Sequence, residues 1–253
     1  MRQIPVCFFV KKEKISGTLH LPSNKNPPVV VILHGLSSNK DTSVRIDFAK
    51  KICENGFAVL RFDFRCHGKS GGKPEELTYT GAVEDLKAAI DFVQKQKGID
   101  SKRIGIQGSS FGGKVALIAA SHDKRIKVLA VWVAPHIYTK DEIKEKLKII
   151  RQKGYYPYKR NFHLGKAYFD DNKKYYMPSM SSIAKKIKAP SLVILAEKDT
   201  VVNFSIAKKF YDKLAGPKRL VTIKNSDHWI TDNPKNRELV NSLSIKWFKE
   251  WLK

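Results

Sequence analysis

Hydrophobic and polar positions along the chain fall into short blocks of alternating type. Two β-like runs open it, PVCFFVKK and ISGTLHLP. PPVVVILHG, Pro27 to Gly35, is a continuous apolar run closed by glycine, the pattern of a strand buried on both faces. SVRIDFAKKICENG follows, with Val44, Phe48 and Ile52 at helical spacing and Gly56 as a stop. FAVLRFDF predicts a strand, and VEDLKAAIDFVQKQKG predicts an amphipathic helix with Val83, Leu86, Ile90 and Val93 on one side. RIGIQG then reads as a strand, FGGKVALIAAS as a helix and IKVLAVWVAP as a strand. APSLVILAEKD (strand), FSIAKKFYDKL (helix), KRLVTIK (strand) and a helix around ELVNSLSIKWFKEWLK complete the chain. This alternation predicts an α/β fold, a mostly parallel central sheet with helices on both faces. In such sheets the functional groups gather on loops beyond the carboxyl ends of the strands.

One stretch breaks the alternation. From His136 to Lys188 the chain is polar, lysine-rich and aromatic, and contains no run that reads as a buried strand. That is too long for an ordinary crossover. The expected organisation is therefore a core of residues 1–135 and 189–253 with an inserted cap at 136–188. The aromatic residues between Tyr155 and Tyr176 are candidates for a substrate pocket under that cap, or for its internal packing.

RIGIQGSSFGGKVALIAAS poses a chemical question, because two adjacent serines, Ser109 and Ser110, lie among glycines. A second stretch, RCHGKSGGK, also fits G-x-S-x-G around Ser70. A nucleophilic serine on an α/β sheet needs a strand that ends, a sharp reversal and a helix that starts at once. Small flanking residues let strand and helix approach, and the helix N-terminus aims N–H groups at a developing oxyanion. Ser110 meets each demand, with Gly108 and Gly112 as its flanks. Ser109 is one residue early. Ser70 is followed by Pro74 and polar residues, so no helix starts there. Nor is its GKS a phosphate loop, since Asp63 stands where that loop needs glycine.

These segments together resemble the α/β-hydrolase superfamily. LHGLSSNK resembles its H-G-x loop, RFDFRCHGKSGG its D-x-R-G-H-G-x-S segment and GSSFGG its nucleophile elbow. The likeness covers almost the whole chain and is nearest to small esterases of the cinnamoyl/feruloyl-esterase and monoglyceride-lipase kind. Cys66 departs from it, standing where that segment usually carries glycine. The resemblance implies a serine esterase with the chain order Ser, acid, His. Of the histidines after Ser110, His122 follows the elbow helix, His136 and His163 fall in the insertion, and His228 opens the loop after the last strand, the place expected for the base. Glu197 and Asp199 both follow a strand; the resemblance favours Asp199. Asp227 is expected to shape the turn beside His228, and His34 and His67 to brace their loops. The oxyanion hole implied by the family would use the backbone N–H groups of Leu36 and Phe111. The expected function is hydrolysis of carboxylic esters through an acyl-enzyme on Ser110. A peptidase or thioesterase could use the same triad, though prolyl-oligopeptidase relatives usually carry a large extra domain for which these residues leave no room.

Composition changes this picture in one respect. Lys plus Arg number 48 against 24 Asp plus Glu, a formal net charge of +24. Such a surplus could attract nucleic acid, anionic membranes or acidic substrates. The charges are dispersed, however, and no RNA-binding motif accompanies them, so a nucleic-acid-binding module is the weaker reading. No metal-ligand spacing or dinucleotide fingerprint occurs, and water is the expected co-substrate, so no cofactor is expected. The expected partner is a small-molecule ester, with no membrane span; association as a homodimer is left open. MRQIPVCFFVKKEK reads as a first strand rather than a signal peptide. Three cysteines, Cys7, Cys53 and Cys66, match no disulfide pattern and suit a reducing cytoplasm.

Overall fold

A computed structural model describes residues 1–252. An eight-stranded sheet runs through them. β1 (Arg2–Val10) and β2 (Glu13–Leu21) form an antiparallel hairpin turning at Lys11, and β2 pairs antiparallel with β4 (Ala58–Phe62). The rest is parallel: β4, β3 (Pro28–Leu33), β5 (Asp100–Ser109), β6 (Ile126–Trp132), β9 (Ser191–Ala196) and β10 (Lys218–Ile223), in that order. The predicted α/β architecture is thus the observed one.

The apolar runs work as the sequence suggested. Val29, Val31 and Leu33 of β3 enter one core, while Val30 and Ile32 enter the other. A strand that feeds two cores cannot alternate apolar with polar. One core is closed by α1 (Ser43–Glu54) and α8 (Pro234–Trp251), through Phe48, Ile52, Val240 and Phe248. The other holds α2 (Tyr79–Gln94), α3 (Phe111–Ala120) and α7 (Phe204–Asp212).

Chain order reverses around β3. The chain passes from β3 to β4 on one side and then returns to β5 on the other. The loops leaving β3 and β5 therefore diverge from neighbouring strand ends, which opens a crevice at their carboxyl edge. Both the H-G loop and the serine turn leave from this edge.

Between β6 and β9 the chain forms α4 (Lys140–Lys153), an antiparallel pair β7 (Tyr156–Lys159) and β8 (Phe162–Leu164), α5 (Lys166–Asn172) and α6 (Met177–Lys186). α4 is closed at both ends by local groups. The Thr139 hydroxyl accepts from Glu142 N and the Glu142 carboxylate accepts from Thr139 N, a reciprocal cap, and Gly154 ends the helix at φ 81°. The segment is tied to the core through α5. Asp171 accepts from Thr80 N at 2.9 Å and from Thr80 Oγ1 at 2.6 Å, at the start of α2. No helix among the described residues is long and apolar enough to cross a membrane.

Candidate active site

The turn after β5 has the expected form. Ser109 is the last strand residue, Phe111 the first of α3, and Ser110 between them lies at φ 51°, ψ −113°. Its N–H donates to the Trp132 carbonyl of β6 at 2.9 Å, which anchors the turn from outside. Such a backbone costs about 1–3 kcal/mol for a residue with a Cβ. The flanking glycines permit close approach: a Cβ on Gly108 would lie 2.5 Å from Gly112 O, and one on Gly112 would lie 2.6 Å from His34 O. Both obstacles are backbone atoms of packed elements. Gly112→Ala is therefore expected to destabilise the fold by about 1–3 kcal/mol, the scale of overpacking, read as a lower urea midpoint with an unchanged m value.

Ser109 and Ser70 are placed otherwise. Ser109 Oγ accepts from Gln107 Nε2 at 3.0 Å. Ser70 Oγ donates to Asp63 O at 2.6 Å and accepts from Ser16 N at 2.9 Å, tying its loop to the hairpin.

Two loops at the same sheet edge complete the constellation. His228, beyond β10, has Nε2 3.0 Å from Ser110 Oγ and Nδ1 2.9 Å from Asp199 Oδ2. Asp199, beyond β9, uses its other oxygen to accept from Val201 N at 2.8 Å and Val202 N at 2.7 Å. Those two bonds fix the carboxylate so that one oxygen faces the imidazole. Glu197 instead accepts from Asn225 N at 2.7 Å, and Asp227 accepts from Trp229 N at 3.0 Å; both shape the histidine loop. The remaining histidines lie apart from Ser110 Oγ. His122 bonds Ser121, His163 stacks on Tyr155, and the Nδ1–H of His136 donates to Val201 O at 2.6 Å. Burial lowers the pKa of His136 to about 4, so it stays neutral.

Leu36 follows the H-G pair at the end of β3, and its N–H has no protein acceptor among the described residues. Phe111 opens α3, so its N–H has no carbonyl a turn behind it in that helix. A web of bonds holds the Leu36 loop in place. His34 Nε2 accepts from Phe64 N at 3.1 Å while its Nδ1–H donates to Gly35 O at 2.8 Å. His67 Nε2 accepts from Ser37 N at 3.2 Å. Asp63 accepts from Lys40 N at 2.6 Å and Lys69 N at 2.9 Å. Both imidazoles must be neutral to accept at Nε2. Burial arranges this, lowering His67 to about 4 and His34 well below its ordinary value. Cys66 sits at φ 68° in the same segment, which accounts for the glycine usual there.

A cavity of about 310 Å³ opens beside Ser110 and His228. Leu36, Phe48 and Trp132 form apolar wall, and Trp229 and Tyr158 are large aromatics that stay partly exposed there. From the segment between β6 and β9 only Tyr158 and Lys159 line it. Tyr168 and Phe169 are buried in packing: Tyr168 lies against Tyr79 of α2 and Phe169 against Tyr156. No group of three or more His, Cys, Asp or Glu able to hold a metal occurs among the described residues.

The model of the family described as "Prolyl oligopeptidase family" (Peptidase_S9) matches residues 44–253. The chain belongs to that family. An Escherichia coli protein, "Uncharacterized 31.7 kDa protein in traX-finO intergenic region", is 26% identical over 95% of this chain and 97% of its own. Among solved structures, the α/β hydrolase GrgF from a Penicillium species superposes with a TM-score of 0.85 at 18% identity, over 100% of this chain and 99% of its own. The esterase Pf2001 from Pyrococcus furiosus superposes with a TM-score of 0.75 at 25% identity, over 100% of this chain and 94% of its own. This member of the prolyl oligopeptidase family is thus a hydrolase with the α/β-hydrolase fold.

Sequence reasoning passed over one ionisable group near the serine turn of this hydrolase. Lys114, one turn into α3, is fully buried; its Nζ donates to Asn172 Oδ1 at 3.0 Å and sits 4.3 Å from the Tyr79 ring centroid. Within the run KVALIAA it reads as an ordinary helix lysine, and only tertiary packing encloses it. Burial lowers its pKa from 10.5 to about 7, opposed by Asp171. The native state therefore binds fewer protons here than the unfolded chain between about pH 7 and 10.5. This group makes stability rise with pH across that window, by at most about 1.4 kcal/mol per unit. Lys114→Met is expected to flatten that slope in urea unfolding at pH 7, 8 and 9.

Proposed function

We propose that this hydrolase cleaves carboxylic esters through an acyl-enzyme on Ser110, with His228 as base and Asp199 as its orienting acid. The observation that carries the proposal is the unbroken chain Ser110 Oγ–His228–Asp199, at 3.0 and 2.9 Å. A serine hydroxyl becomes a competent nucleophile when a positioned base takes its proton. His228 Nε2 receives it as Oγ attacks the ester carbonyl, and Asp199 stabilises the imidazolium through Nδ1–H. The Leu36 and Phe111 N–H groups hold the oxyanion, each donor being worth roughly 10²- to 10³-fold in rate. The imidazolium then protonates the leaving alcohol, and water, activated by His228, releases the acid. Residues 136–188 serve as the cap, with Tyr158 and Lys159 its contribution to the cavity. The esterase Pf2001 supports an ester substrate.

The test is release of 4-nitrophenol from 4-nitrophenyl butyrate by wild type and Ser110→Ala. Retention of activity by the variant would sink this reading. The family description favours a second substrate class, peptide amides. Turnover of an aminoacyl 4-nitroanilide against the matching ester separates the two.

A further inference from the structure

One wall of the cavity beside Ser110 carries a cation with no carboxylate in contact. Arg45 stands in the first turn of α1 and lines the cavity together with Ser38, Thr42, Val44 and Phe48. Its Nη1 donates to Ser38 Oγ at 3.0 Å and to Thr42 Oγ1 at 2.8 Å, both neutral acceptors. Among the described residues Nε and Nη2 have no hydrogen-bond partner; no carboxylate lies within ion-pair distance, and Asp63 acts on it only from farther away. Four other arginines that are half-buried or buried behave differently. Arg61, Arg65, Arg103 and Arg125 each pair with a carboxylate, at 2.6, 2.5, 2.7 and 2.5 Å.

A half-buried guanidinium with no acid in contact is costly unless something else completes its donor set. Burial draws the Arg45 pKa down to about 10, so it remains charged at neutral pH. Its surroundings add positive potential. The α1 N-terminus has no acidic residue in its first turn, and Thr42 and Val44 at that end line the same cavity. Lys159 enters from the insertion, and the one acidic side chain in the lining is Asp232. Leu36, Val44, Phe48 and Trp132 supply apolar wall, suited to a short methylene spacer. The surplus of 48 Lys and Arg over 24 Asp and Glu steers anions toward the molecule as a whole.

We infer that Arg45 is a specificity-determining residue that binds a carboxylate on the substrate, so that the preferred ester is an acidic one, with the anion a few methylenes from the scissile carbonyl. The inference rests on the ester-hydrolase reading above. It has two arms, since the carboxylate can belong to the acyl or the alcohol half. Mono(4-nitrophenyl) glutarate against 4-nitrophenyl valerate tests the first. 4-Acetoxybutanoate against butyl acetate tests the second.

In one of these pairs, wild type is expected to favour the acidic ester. Arg45→Gln should lower kcat/KM for that ester by about 10- to 100-fold, the scale of one charge-assisted hydrogen bond, and leave the neutral ester within about threefold. Arg45→Lys should retain part of the preference. Equal losses on both members of a pair would mean that Arg45 only braces Ser38 and Thr42, and would overturn the inference. So would a wild-type preference for the neutral ester in both pairs. If wild type turns over no ester, the esterase reading fails by itself; titration calorimetry of glutarate with Ser110→Ala, and with Ser110→Ala carrying Arg45→Gln, then decides. Binding lost with Arg45 supports the anion site. Binding that is absent in the first protein, or equal in both, refutes it.

Discussion

Ser110→Ala is expected to lower kcat for 4-nitrophenyl butyrate by about 10⁴- to 10⁶-fold, with KM changed little. The reason is local. The variant keeps the turn, the Leu36 and Phe111 N–H groups and the cavity, but removes the atom proposed to attack. Residual turnover should then come from binding and the oxyanion donors alone. Ser110→Gly separates the nucleophile from its strained backbone. At φ 51° a Cβ is disfavoured, so glycine should raise stability by about 1 kcal/mol while activity stays lost. Alanine retains the strain and should leave the urea midpoint nearly unchanged. A glycine variant less stable than the alanine variant would show that the turn stores no such strain.

Asp199→Asn is expected to lower kcat by about 10⁴-fold at neutral pH with the fold intact. Geometry makes the argument specific. Oδ1 accepts two backbone N–H groups, at 2.8 and 2.7 Å, so an asparagine must keep its carbonyl there. Its NH₂ then faces His228 Nδ1, which must lose its proton in order to accept. The imidazole switches to the Nε2–H tautomer and presents a donor to Ser110 Oγ, where the proposed mechanism requires a base. Steady-state kinetics at pH 7 with a circular dichroism spectrum for folding checks this. Glu197→Gln is the control. Glu197 accepts from Asn225 N, which glutamine can also satisfy, so its activity should stay within about threefold of wild type.

Much of the fold was legible in the sequence because a strand covered on both faces must be apolar throughout. PPVVVILHG and APSLVILAEKD could not have been exposed loops. Their positions in the chain predicted a parallel sheet. The serine turn was legible for a related reason: Gly108 and Gly112 stand where any side chain would meet backbone. The segment between β6 and β9 was less legible: its helices bury only part of their surface, so their pattern is faint and no element was assigned there.

By itself, then, the sequence determined the layered architecture and the identity of the turn that carries Ser110, because both follow from which residues a short stretch can bury. Tertiary structure decided everything that depends on groups far apart in the chain. Ser110 and His228 meet across 118 residues, and Lys114 and Asn172 across 58. The same is true of Arg45: a lone arginine in an amphipathic helix pattern gives no sign of whether water, an acid or a substrate will face it. Only the packing of α1 beside the H-G loop leaves it in the cavity with no acid in contact. Charge and burial are properties of a place in three dimensions, and local sequence fixes that place only where neighbours in the chain are also neighbours in space.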